Sequence, residues 1–204
     1  GVVIIVLIGF GIFQWTEVMN IDESEDPIVI EVYAKQFAWQ ARYAGADNTL
    51  GLGNVNFIDE TNNPIGVDMS DAASLDDKPV SELHLPKGKK VLFKFRSQDV
   101  LHSAYMPHFR AQMNCVPGMV TQFAFTPKYT TEEMRQQSEV MDKTRGINKI
   151  RSDKGEDLYE FDYVLLCNKI CGASHYNMQM KIVVEEEEDY KKWLAEQATY
   201  AEKL

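Results

Sequence analysis

Residues 160–184 read EFDYVLLCNKICGASHYNMQMKIVV. Aromatic and β-branched residues dominate both ends of this stretch, over 160–166 and 179–184, which predicts two strands. Between them lies a loop, residues 167–178, with two cysteines, one histidine and one methionine. The stretch therefore predicts a pair of β-strands joined by a loop rich in sulfur and imidazole ligands.

The strand pattern recurs upstream of this pair. Further predicted strands, separated by turns with Gly, Asn and Pro, cover residues 28–43, 54–59, 81–85, 90–96 and 119–126. Many short strands at such spacing are typical of an all-β sandwich or barrel. We assign residues 28–186 to one all-β domain. Residues 130–156 are polar and charged, and we expect them to form a surface insertion whose helix is capped by Thr130 or Thr131.

The two ends of the chain differ from the β domain. Gly1 to Trp15 read GVVIIVLIGFGIFQW, with Gln14 as the only polar residue. A helix of this length spans only ~22 Å of a ~30 Å hydrocarbon core, so it is either a buried helix or the last part of a transmembrane helix. The all-round apolar character favours a membrane helix over 1–16 that starts upstream of Gly1.

Two further segments complete the predicted organisation. Residues 17–27 contain five acidic residues before Pro27 and read as an acidic linker leaving the membrane. Residues 187–204 follow a helical period and predict a C-terminal helix.

The charge balance and the cysteine count narrow the classes of function. The chain has 21 Lys and Arg against 31 Asp and Glu, a net charge of −10. Such acidity argues against nucleic-acid binding, which depends on basic groups, and suits a cationic partner. Three cysteines cannot all pair, which favours metal or redox chemistry over a disulfide framework.

The loop itself predicts copper. Thiolates and thioethers are soft ligands that select copper, and Cys171, His175 and Met178 have the spacing of a one-copper loop. His102, within SQDVLHSAYMP, is the best candidate for a distant imidazole, in a loop after a strand. The additional Cys167 suggests two coppers bridged by both sulfurs.

Two other states of the loop remain open on ligand count alone. Cys167 and Cys171 could form a strained disulfide, and two Cys with two His could bind zinc. The remaining candidates, Cys115, His84 and His108, are predicted to be structural or surface residues.

The loop C-x3-C-x3-H-x2-M together with the upstream DVLHS resembles subunit II of the haem–copper cytochrome c oxidases, which carries the binuclear CuA centre. This resemblance implies a cupredoxin-like Greek-key domain that binds two copper ions. It also implies the copper ligands, which are His102, Cys167, the backbone carbonyl of Lys169, Cys171, His175 and Met178.

The same resemblance implies an electron relay in a bacterial inner membrane, with the copper domain on the periplasmic side. The donor would be cytochrome c, or a fused or associated c-type cytochrome. The acceptor would be haem in subunit I, which also holds CuB and reduces oxygen while protons are pumped. Alternatives are the copper domain of another reductase, such as nitrous oxide reductase, and a copper carrier.

The sequence departs from this family at two points. Phe37 occupies the position usually held by the tryptophan that receives electrons, so Phe37 or the neighbouring Trp39 is the candidate for that role. Lys169 replaces a glutamate that helps to bind magnesium at the subunit I interface, and an ammonium group cannot ligate a cation. We therefore predict that Lys169 is not a magnesium ligand.

The acidity suggests how a basic cytochrome would approach, since complementary charge steers association. The candidate docking residues are Asp99, Asp68 and Asp71.

Overall fold

The computed structural model describes residues 1–19 and 26–203, and its strands form two five-stranded sheets. The first sheet has the order β3 (Lys78–Val80), β2 (Ala38–Tyr43), β1 (Ile28–Lys35), β5 (Val91–Ser97) and β8 (Thr121–Phe125). The second has the order β4 (Leu83–Pro86), β10 (Gln179–Glu185), β9 (Tyr163–Cys167), β6 (His102–Met106) and β7 (Ala111–Cys115). Strands β1 and β5, and likewise β4 and β10, pair in parallel, while the other ladders are antiparallel.

One apolar core lies between the sheets. Phe93 and Phe95 of β5 are fully buried, and they belong to the same cluster as Leu83 of β4 and Leu165 of β9. Alternate residues of facing strands fill the space between two packed sheets, as in other sandwiches. The predicted all-β fold class is confirmed.

Helices lie at both ends of the chain and in the predicted insertion. They are α1 (Val2–Met19), α2 (Ala72–Leu75), α3 (Thr131–Arg135), α4 (Ser138–Asp153), α5 (Glu187–Glu196) and α6 (Tyr200–Lys203). Thr130 caps α3 in a capping box, in which its hydroxyl accepts from the Glu133 N–H and the Glu133 side chain accepts from the Thr130 N–H. Helices α3 and α4 therefore occupy most of the predicted insertion, between β8 and β9.

Helix α1 packs against no other part of the structure described. None of its 18 residues is buried, and it is long and apolar enough to cross a membrane, with a mean hydropathy of 2.0. The interpretation as a buried helix is therefore wrong. The helix continues to Met19, past the predicted boundary at residue 16. Residues 20–25 of the predicted linker lie outside the described residues.

Several predicted elements differ from those observed. Residues 28–43 form the antiparallel hairpin of β1 and β2, in which Ala34 pairs with Trp39, instead of one strand. Residues 54–59 contain a 3-10 helix, Val55–Phe57, because the Asn54 side chain accepts from the Asn56 N–H and caps the turn. The C-terminal segment breaks into α5 and α6, since Gln197 adopts an extended conformation.

Ion pairs between buried side chains connect the first sheet to the segment that precedes β3. Arg42 contacts Glu31 at 2.6 Å and Asp77 at 2.7 Å, and Arg96 also binds Glu31. Glu31 and Arg42 are direct neighbours across β1 and β2, which makes their ion pair a cross-strand pair. We call Glu31, Arg42, Asp77 and Arg96 the arginine cluster.

Candidate metal centre

The two loop cysteines face each other at the end of the second sheet. Cys167 is the last residue of β9, and its N–H donates to the Met178 carbonyl at 3.1 Å. The Cys167 and Cys171 sulfurs are 3.9 Å apart, and both thiols are free. A disulfide has its sulfurs about 2 Å apart, so the structure holds two separate thiols.

Each thiol has an imidazole beside it. His102 Nδ1 lies 3.7 Å from the Cys167 sulfur, and His175 Nδ1 lies 3.6 Å from the Cys171 sulfur. His102 is the first residue of β6 and not part of a loop, because residues 102–106 pair with β7 on one side and β9 on the other. The two thiols therefore lie between two imidazoles, one supplied by a strand and one by the loop.

The remaining predicted donors complete the group. Met178 Sδ is 3.9 Å from the Cys171 sulfur, and the Lys169 carbonyl oxygen is 3.2 Å from the Cys167 sulfur. All six predicted donor groups thus lie together, and we call them the ligand cluster. Within it, the donor atoms of His102, Cys167 and Cys171 all lie within 4.8 Å of one another. Three sulfurs, two imidazoles and a carbonyl are a soft donor set that fits copper.

Burial keeps the Cys171 thiol neutral before a metal binds. Cys167 is 9% exposed and Cys171 is 6% exposed. Burial, and then the neighbouring Cys167 thiol, raise the pKa of Cys171 to about 11. Because a coordinating sulfur must be deprotonated, binding a metal here releases protons.

Asp99 holds His102 in position. One of its carboxylate oxygens lies 2.9 Å from His102 Nε2, and the other accepts from the Gln36 N–H at 2.7 Å. Burial alone would raise the pKa of Asp99. Hydrogen bonds from Gln36, His102 and Val100 outweigh this effect, so the pKa of Asp99 is lowered. A carboxylate on the far nitrogen of a histidine fixes the ring and leaves the near nitrogen free for a metal.

Two aromatic side chains contact the loop from the β1–β2 hairpin. The indole N–H of Trp39 donates to the Met178 carbonyl at 3.3 Å, and its ring meets His102 edge-on with centroids 6.2 Å apart. Phe37 packs against Gly172, where a Cβ would lie 2.8 Å from the phenyl ring. Trp39 is buried and Phe37 half-buried, so Phe37 is the more accessible of the two.

Sequence reasoning missed two residues that shape the loop. Gly172 has a φ of +143°, and it leaves room for Phe37 and Gln36 where any side chain would collide. The Gln36 side chain donates to the Cys171 carbonyl. A glycine next to a ligand cysteine was a usable signal, whereas nothing in the sequence marks Gln36.

The other predicted docking residues are used in local turns. Asp68 accepts from the N–H and hydroxyl of Ser70, and Asp71 caps α2 and accepts from the Leu52 N–H. Within residues 26–203, neither hydrogen-bonds to the ligand cluster.

The histidines and the cysteine outside the cluster have structural contacts. His84 lies 2.7 Å from Glu185 and stacks on Trp193 with centroids 3.9 Å apart. His108 meets Phe161 edge-on at 4.8 Å. Cys115 is fully buried in β7, and this burial raises the pKa of its thiol to about 12.

Comparison with known proteins points to one family. The sequence model described as "Cytochrome C oxidase subunit II, periplasmic domain" matches residues 28–150, which include Asp99 and His102 but end before the loop. The chain is 35% identical to the alternative cytochrome c oxidase subunit 2 of Bradyrhizobium diazoefficiens over 98% of its own length and 61% of that relative. It is 26% identical to cytochrome c oxidase subunit 2 of Thermostichus vulcanus, over 55% of this chain and 25% of that one.

A solved structure is also similar. The periplasmic domain of subunit II of cytochrome oxidase from Bradyrhizobium japonicum aligns with a TM-score of 0.48 and 17% identity, covering 82% of this chain and 91% of that one. The chain spans about three fifths of the length of the alternative subunit 2 from B. diazoefficiens. The family match extends over more than half of the chain and is accompanied by that 35% identical relative. The chain belongs to the cytochrome c oxidase subunit II family.

Proposed function

We propose that this chain is the electron-relay subunit of a cytochrome c oxidase. It accepts electrons from cytochrome c at a binuclear copper centre and passes them to haem in subunit I, where oxygen is reduced and protons are pumped. The observation that carries the proposal is the convergence of six donor groups, with each thiol beside its own imidazole. Membership of the subunit II family supports the same assignment.

The ligand cluster is built to change little on electron transfer. His102 and Cys167 lie on the paired strands β6 and β9. Asp99 holds the His102 imidazole, and the Trp39 indole N–H donates to the Met178 carbonyl. The bound copper pair would supply a one-electron carrier whose charge is shared between two metals. Four of the six donor residues are buried, which would limit both the entry of water and the movement of the ligands when the oxidation state changes.

The surroundings support a membrane-anchored subunit. Helix α1 is the proposed anchor, and the β domain is proposed to lie on the periplasmic side of a bacterial inner membrane. Subunit I and the other oxidase subunits would be its partners, with haem and CuB held by subunit I. The side chain of Lys169 is exposed and forms no ion pair within the described residues, and its ammonium group supports our proposal that it binds no magnesium.

Copper content and electron spin resonance of the purified chain test the proposal directly. We expect two coppers per chain and one unpaired electron split by both nuclei. One copper, split by a single nucleus, would replace the relay centre by a mononuclear carrier. Zinc, or a disulfide between Cys167 and Cys171, would overturn the proposal.

Phe37 is the proposed contact for incoming electrons, since it is half-buried beside the loop at Gly172. Phe37→Ala should slow electron acceptance from cytochrome c and leave the copper content unchanged. Phe57→Ala is the matched control, because Phe57 is an exposed aromatic residue in the 3-10 helix. Stopped-flow reduction compares the two, and equal rates would rule out the role of Phe37.

The acidic surface is proposed to attract a basic cytochrome. With a net charge of −10 on the chain, association should slow as salt is added. Asp99 remains a proposed docking residue alongside Asp68 and Asp71, although its carboxylate also orients His102. A docking role adds to this contact, since the Asp99 side chain is 31% exposed.

A further inference from the structure

A cavity of about 400 Å³ lies between the sandwich and the helices of the insertion. It adjoins the 3-10 helix Pro107–Phe109 that follows β6. His102 begins β6, so about 13 Å of strand separates the cavity from the ligand cluster. The proposed electron relay makes no use of this region.

Aromatic rings form one wall of the cavity. Phe109 stacks on Phe125 at a centroid distance of 4.7 Å and on Tyr163 at 4.5 Å. Met134 of α3 and Val140 of α4 close the opposite side. The volume falls within the range of roughly 300–1,000 Å³ that is typical of small-molecule sites, and polar side chains complete the lining.

The charged groups on the lining are mostly positive, in contrast to the chain as a whole. Arg110 and Lys128 line the cavity, and Glu139 is the only acidic residue among its lining residues. Neither of these two cationic side chains forms an ion pair or hydrogen bond within residues 1–19 and 26–203. His108 also lines it, but burial lowers the pKa of this imidazole and keeps it neutral at pH 7. The nearby Arg135 behaves differently, because it binds Asp162 at 3.0 Å.

Arg110 is held in an unusual backbone conformation. Its φ is +54°, and its N–H donates to the Pro107 carbonyl at 3.1 Å. The other non-glycine residues with positive φ in the described chain are Asp26 and Asn48, types that adopt this conformation readily. A left-handed arginine costs free energy, and such outliers often mark functional positions.

We propose that this cavity binds a small aromatic carboxylate. The ring of the ligand packs against Phe109 and Phe125, and its carboxylate pairs with Arg110 and Lys128. Arginine presents a planar fork of donors that matches a carboxylate. None of the ligand cluster lines this cavity, so a test of ligand binding here does not depend on the proposed electron relay.

Titration calorimetry of the full chain in lipid nanodiscs tests the site, with 2-naphthoate as the probe. We expect saturable binding of one molecule per chain. Arg110→Gln should weaken binding at least tenfold, whereas Lys154→Gln should not, because Lys154 is an exposed lysine outside the lining. Val140→Trp should abolish binding by filling the cavity without changing its charge.

The neutral analogue 2-naphthalenemethanol separates charge from apolar contact. We expect it to bind at least tenfold more weakly than 2-naphthoate. Equal binding of the two probes, or unchanged binding to Arg110→Gln, would overturn the assignment to an anion. Absence of saturable binding to the unmodified chain, or full binding to Val140→Trp, would overturn the site itself.

Discussion

The ligand cluster and the arginine cluster are both buried polar groups, but their charges and donors are satisfied in different ways. In the arginine cluster two guanidinium groups meet two carboxylates, with ion pairs at 2.6 and 2.7 Å. In the ligand cluster the thiols and imidazoles face one another at 3.6–3.9 Å, and the two thiols have no charged partner among the cluster's own residues. The first cluster compensates itself and is structural, whereas the second presents donors to a partner from outside the chain.

The sharpest test of this difference removes one of the two thiols that we propose to bridge the coppers. Cys171→Ser should abolish the two-copper spectrum completely, because a hydroxyl is a poor ligand for copper. Cys115→Ser is the matched control, since that cysteine is also buried but lies in β7 outside the ligand cluster. Electron spin resonance of both variants gives the answer. A two-copper signal retained in Cys171→Ser would place the bridge elsewhere.

Breaking the arginine cluster should affect stability and not the metal. Above about pH 7, where Asp77 is ionised, Arg42→Met leaves Glu31 and Asp77 buried without their shared cation, which costs about 3–5 kcal/mol of unfolding free energy. Urea unfolding followed by circular dichroism measures the loss. Arg145→Met should change stability by less than about 0.5 kcal/mol, since that side chain is 72% exposed. Similar losses in both variants would show that the arginine cluster is not structural.

The pH dependence of stability sharpens the same point. Burial, opposed by Arg42, raises the pKa of Asp77 from 3.8 to about 7 in the folded chain. The folded state therefore holds a proton that the unfolded state releases, and stability should fall as pH rises from about 4 to about 7. Each unit of pKa difference is worth about 1.4 kcal/mol.

Asp77→Asn removes this titration, so its stability should vary less over the same range. Urea unfolding at several pH values compares the variant with the unmodified chain. Parallel pH profiles would mean that Asp77 is ionised in the fold, paired with Arg42.

The smallest expected effect concerns the residue that orients a ligand. Asp99→Ala should weaken copper binding by about 10–100-fold, because His102 loses the partner of its far nitrogen. Asp99→Asn keeps an acceptor and should lose less. Chelator competition ranks the three chains, and equal affinities would show that His102 is held by packing alone.

The sequence predicted the ligand cluster better than the structure around it. Two thiols, an imidazole and a thioether fall within twelve residues, and such local spacing is visible without a fold. Strands β6 and β7 were missed because HSAYM and AQMNC contain no β-branched residue, and their pairing depends on neighbouring strands.

The arginine cluster was equally hidden in the sequence. Glu31 and Arg42 become neighbours only through the register of the β1–β2 hairpin. Asp77 contacts Arg42 from the end of the long segment that connects β2 to β3. The hairpin turn at Gln36 and Phe37 contains neither glycine nor proline, so residues 28–43 looked like one strand.

His102 stands 65 residues before Cys167, and this separation gives the proposed copper centre a mechanical role. A group bound to both residues would turn the intervening chain into a closed ring, as a covalent cross-link does. By the chain-entropy relation for cross-links, a ring of that size lowers the entropy of the unfolded chain and raises the free energy of unfolding by about 4 kcal/mol. Removing metal from the proposed centre would therefore loosen the sandwich, and the unfolding temperature of the chain would report on metal loading.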